Sequence, residues 1–62
     1  MLERIDLIQA IEKLSEREAM VIRLRFFHAL TQQRVSKVLG VSQVQVSRIE
    51  KKALQSLKHL LR

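Results

Sequence analysis

Gly40 is the only glycine in this chain of 62 residues, and it constrains what the sequence on either side can become. Before it, Thr31 is a good N-cap, and Gln32 to Leu39 supply about two turns of helix. That helix must stop at Gly40, because a residue just past a helix end usually takes φ > 0, which glycine does without steric cost. After it, Ser42 caps a new helix. Gln45 follows three residues later and completes a capping box, each partner satisfying an unpaired backbone N–H of the other. Residues 31–52, TQQRVSKVLGVSQVQVSRIEKK, therefore read as two helices joined by the tight turn Gly40-Val41-Ser42.

A short helix, a glycine turn and a longer second helix match a helix-turn-helix, whose second helix enters the major groove of DNA. The longer helix has the two faces such a role requires. At about 100° per residue, Val46, Ile49, Ala53, Leu57 and Leu60 share one stripe, while Val44, Ser47, Arg48, Lys51, Gln55 and Lys58 lie opposite. An arginine can pair bidentately with guanine, and a valine can touch a thymine methyl. Any surface helix also turns polar residues outward; the glycine turn and the paired caps are what favour the specific reading.

Charge points the same way. Residues 1–31 hold five Lys/Arg and five acids and are neutral, whereas residues 32–62 hold seven Lys/Arg against Glu50 alone. The whole formal charge of +6 thus lies in the helix-turn-helix half. A polyanionic partner explains this segregation, since neutralising phosphates releases counterions. A chain this short is one domain and buries only about 60% of its unfolded surface. Its only aromatics are Phe26 and Phe27, so the core must be aliphatic; with no cysteine and no obvious metal-ligand cluster to staple it, a domain excised from a longer protein is expected. No apolar run approaches the 18 or so residues that span a bilayer, and no signal-peptide pattern is present; a soluble, cytoplasmic protein without membrane contact is expected. Enzyme activity and cofactors are not expected, because no nucleophile–base pair and no glycine-rich phosphate loop occur.

The rest of the chain supplies the support. Leu2, Ile5, Ile8, Ile11 and Leu14 recur every three residues with Leu7 beside them, predicting an amphipathic helix over about 3–13. Ser15-Glu16-Arg17-Glu18 is a second capping box, with Leu14 placed for a hydrophobic staple, and opens a helix over 16–27. Arg25 interrupts its apolar run and is a candidate phosphate contact, as neighbouring helices in such folds often provide. His28 and His59 fit helix-end dipole partners or surface residues better than ligands. With helices over 32–39 and 43–61 the reading is all-α: four helices, containing a helix-turn-helix and a long C-terminal recognition helix.

The runs LSEREAMVIRLRFF and LTQQRVSKVLGVSQVQVSRIEKKAL resemble region four, the C-terminal promoter-binding domain of bacterial RNA polymerase sigma factors. SQVQVSRIEK is most similar to the alternative, sporulation-type members. The resemblance covers about Leu14 to Leu61. It implies promoter recognition at the −35 element, docking on the β-flap tip of the polymerase, possible binding of an anti-sigma factor, and a place at the bacterial nucleoid. It implies that Gln43, Val44, Ser47 and Arg48 read bases and that Thr31, Ser42, Gln45, Lys51 and Lys52 face phosphates, with Glu50 structural and paired to a cation of the same domain. Flap contact would fall to apolar side chains not needed by the core, with Ile5, Ile8, Leu54 and Leu61 as candidates. Three positions depart from the pattern. Gln43-Val44 stands where primary sigma factors usually have Arg-Glu, so the preferred promoter should differ, and Ser36 replaces a common alanine. A response-regulator output domain also starts with LSERE-like text. That family typically has Thr-Val-Lys-x-His where this chain has Gln45-Val46-Ser47-Arg48-Ile49. A helical module that binds an anti-sigma protein is a further alternative.

Overall fold

The structure, a computed structural model, describes residues 4–61. Among the described residues are four α-helices: α1 (Arg4–Glu12), α2 (Glu16–Ile22), α3 (Gln32–Leu39) and α4 (Gln43–Leu60). A π-helical segment, Arg23–Phe27, continues α2. No strand occurs among the described residues. The all-α, four-helix expectation is therefore met, and the helix expected over 16–27 is divided into α2 and the π-helical segment.

Helices α2, α3 and α4 each start where a cap places them. Ser15 accepts from the N–H of Glu18, and Glu18 Oε1 accepts from the N–H of Ser15, each at 3.3 Å. Leu14, just ahead of the cap, packs on the cluster that holds Ala19, as a hydrophobic staple should. Thr31 Oγ1 accepts from Arg34 N at 3.1 Å, and Ser42 and Gln45 form the second capping box at 3.1 and 3.2 Å. Gly40 is left-handed at φ +70°, and a Cβ there would meet nothing within 4 Å. The glycine is thus required by its backbone angle and not by crowding. It lets the N–H groups of Gly40 and Val41 both reach Ser36 O, closing the end of α3.

The core lies in two adjoining parts with α2 and α4 common to both. One joins Ala10, Ile11, Ala19, Ile22, Ala53 and Leu57, flanked by Leu7, Leu14 and Leu61. Its three alanines leave α1, α2 and α4 little side chain to hold them apart. The other joins Val21, Val35 and Val46, flanked by Leu24, Leu30, Leu39, Val41 and Ile49. Each of these fully buried valines contributes about 1.5–3 kcal/mol relative to exposure. The second part seats α3 against α4, so it positions the turn.

Three expectations needed correction. Ile8 does not sit on the buried face of α1, because a step of three residues rotates the position backwards by about 60° each time. The face is instead Leu7, Ala10, Ile11 and Leu14, the i, i+3, i+4, i+7 stripe. On α4, Leu60 is 43% exposed while Leu61 packs on the core, since only α1 and α2 flank that end of the helix. The end of α2 is not α-helical: His28 N bonds Arg23 O at 3.1 Å and Leu30 N bonds Leu24 O at 3.0 Å, each reaching further back than an α-helical bond.

That wide turn is left through Ala29, which has φ +56°. An L-residue pays roughly 1–2 kcal/mol for the left-handed region, partly offset by alanine's smaller unfolded-state entropy. Ala29→Gly is accordingly expected to stabilise the fold by about 0.5–1 kcal/mol, raising the melting midpoint by a few degrees. A thermal melt followed by circular dichroism checks this, and a lowered midpoint would refute it.

Candidate nucleic-acid interface

Burying Val46, Ala53 and Leu57 fixes which side of α4 faces outward. Gln43, Val44, Gln45, Ser47, Arg48, Lys51 and Lys52 are all exposed, and Val44 keeps 60% of its surface free although it is apolar. The outward row is therefore an amide, a methyl pair, a hydroxyl and a guanidinium on the first two turns, followed by two ammonium groups. Gln45 contributes Oε1 to the cap, so its place at the helix start is fixed by the fold. Ser42, the cap itself, is exposed as well.

A second patch lies on α3. Thr31, Gln33, Arg34 and Lys37 line an open, mostly polar cleft of about 190 Å³ beside the helix N-terminus. Arg34 and Lys37 belong to the positive half of the sequence, but sequence reasoning did not single them out as site residues. Their spacing of three with Thr31 ahead, i, i+3 and i+6, was the signal available. Arg34 stands in the first turn of α3, beside the positive helix end where an anion is favoured, whereas Lys37 lies in the last turn.

Arg25 and Glu50 meet. Arg25 Nε donates to Glu50 Oε1 at 2.6 Å, and Arg25 Nη1 donates to the carbonyl of Leu30 at 2.8 Å. Gln32 Nε2 lies 3.4 Å from the same carboxylate oxygen. The expectation that Glu50 pairs with a cation of its own domain is seen directly. Arg25 is only 27% exposed, and two of its donor nitrogens are used inside the domain. The guanidinium carbon also lies 5.8 Å from the Phe26 ring centroid.

The proposed flap residues fare unequally. Ile8 and Leu54 are exposed, Leu61 is part of the core margin, and the side chain of Ile5 lies outside the described residues. Leu60 joins the exposed apolar residues at the end of α4. His28 and His59 are exposed at helix ends. Among the described residues no cluster of His, Cys, Asp or Glu could hold a metal, and no helix is long and apolar enough to cross a membrane.

Comparison with known proteins identifies this arrangement. The family described as Sigma-70, region 4 matches residues 10–59, which take in all of α2, α3 and the turn and nearly all of α4. The chain belongs to this family. It is 50% identical over 56 residues to the RNA polymerase sigma-F factor of Priestia megaterium, covering 90% of this chain and 22% of that protein. To the RNA polymerase sigma-G factor of Clostridium acetobutylicum it is 47% identical over 57 residues, 92% of this chain and 22% of that one. The sigma-F factor of Bacillus subtilis is 48% identical over 56 residues, with 90% and 22% covered. This region 4 chain thus spans about a fifth of the length of the curated relatives it matches. No solved structure matches. The resemblance read from LSEREAMVIRLRFF and SQVQVSRIEK is confirmed, and the response-regulator alternative is set aside.

Proposed function

We propose that this chain is the −35-element-binding domain of a sporulation-type sigma factor, a binding domain and not an enzyme, acting on promoter DNA in the bacterial cytoplasm. The observation that carries this reading is the division of α4. Val46, Ala53 and Leu57 seal its rear, while Gln43, Val44, Ser47 and Arg48 stand exposed along its front. In the major groove those four read base edges, with Arg48 suited to guanine, Gln43 to adenine and Val44 to a thymine methyl. Lys51, Lys52, Thr31, Ser42 and Gln45 hold the backbone on either side, and Arg34 and Lys37 extend that contact along α3. Docking on the polymerase flap uses exposed apolar side chains, of which Ile8, Leu54 and Leu60 are available.

Selection from a random duplex pool, with and without polymerase, tests the reading. Enrichment of one motif supports it, and no enrichment under either condition overturns it. A phosphate contact has its own signature. Lys52→Ala is expected to weaken binding to selected and scrambled duplexes alike and to shallow the salt dependence by roughly one unit of log–log slope. A loss confined to one base position would remove Lys52 from the backbone set.

A further inference from the structure

Glu50 is an anion among the cations of α4, flanked by Arg48, Lys51 and Lys52. By charge alone it works against binding a polyanion. Its carboxylate is nonetheless drawn in, with the side chain 13% exposed, and it meets groups from two other parts of the fold. Arg25 reaches it from the π segment, and Gln32 reaches it from the first residue of α3. The same guanidinium grips the Leu30 carbonyl in the connection between them. One side chain on α4 is therefore tied to the end of α2, to the loop after it and to the start of α3.

Where Glu50 lies on α4 decides what this tie controls. Gln43, Ser47 and Glu50 are spaced i, i+4, i+7 and share one edge of the helix. Holding Glu50 fixes the rotation of that edge, and with it the angle at which Gln43 and Ser47, and Arg48 beside them, meet a groove. Gln32 follows the cap residue Thr31, so the same tie spaces the α3 cleft from the base-reading row.

We propose that Arg25, Glu50 and Gln32 form a positioning brace for DNA reading: it sets the rotation of α4 and its offset from α3, and Arg25 acts through Glu50 and not on the nucleic acid. This inference rests on the promoter-binding reading above. Charge makes it separable from an electrostatic effect. Glu50→Gln raises the formal +6 by one unit, whereas Arg25→Gln lowers it by one. If Glu50 were only a repulsive charge, the first would tighten and the second weaken binding to every duplex, leaving selectivity unchanged. A brace predicts that both lower the same quantity, the ratio of affinity for a selected duplex over a scrambled one.

The experiment uses the full chain and the duplex that the wild type enriches from a random pool, with folding of each variant checked by circular dichroism at the assay temperature. Both variants are expected to lose about tenfold in the ratio, the scale on which one base contact discriminates. Gln32→Ala, which keeps the ion pair, is expected to give a smaller fall in the same direction. Folded Glu50→Gln and Arg25→Gln that keep the wild-type ratio overturn the brace while the promoter reading stands. If both instead unfold, an unchanged ratio in Gln32→Ala overturns it. A wild-type chain that prefers no duplex overturns the promoter reading, and the brace with it.

Discussion

Arg48→Ala is expected to lower affinity for a cognate duplex by about 1–3 kcal/mol, roughly 5- to 150-fold, and to relax the preference at one base position. The side chain is exposed on the outward row of α4. Its removal should therefore leave the fold intact and act on recognition alone. Binding-site selection with the variant is the direct measurement. A variant that enriches the same motif as the wild type, at all positions, would take base reading away from Arg48. The contrast with Lys52→Ala is informative, because a backbone contact lowers affinity without altering the motif.

Truncating Leu57 attacks the support behind that row. Leu57→Ala is expected to cost about 2–5 kcal/mol, since a buried leucine leaves a cavity as well as lost transfer energy. A domain of 62 residues has only about 3–9 kcal/mol to lose at 0.05–0.15 kcal/mol per residue. The variant should melt far below the wild type and lose DNA binding through unfolding. Leu60→Ala, three residues along and 43% exposed, is expected to change stability by no more than about 0.5 kcal/mol. Equal destabilisation by the two substitutions would contradict the packing described for the end of α4.

Much of this arrangement could be read from local rules. Ser15, Thr31 and Ser42 each mark a helix start, and Gly40 marks a stop, because orphan N–H groups and positive φ have few chemical solutions. The outward row of α4 was legible too, since its first three turns are flanked by packing neighbours and follow helical periodicity directly. The difference between Leu60 and Leu61 was not. Periodicity places Leu60 slightly nearer the buried stripe, and it is the presence of α1 on one side that draws in Leu61. The contact between Arg25 and Glu50 was hidden for a similar reason. Sequence spacing carries no information on a contact across 25 residues, and the π turn that puts Arg25 within reach of Glu50 leaves no periodic signature.

The sequence by itself therefore determined only local or summed properties: four helices, the caps of α2, α3 and α4, the single glycine turn, the face of α4 that must be dry, and a positive charge confined to one half. These depend on neighbours within about four residues or on composition. The tertiary structure alone decided which leucine closes the core, where α2 widens, that Ala29 carries a left-handed backbone, and that Glu50 holds Arg25 and approaches Gln32. Each of these is set by the relative placement of helices far apart in the chain, and that placement arises only when all of them pack at once.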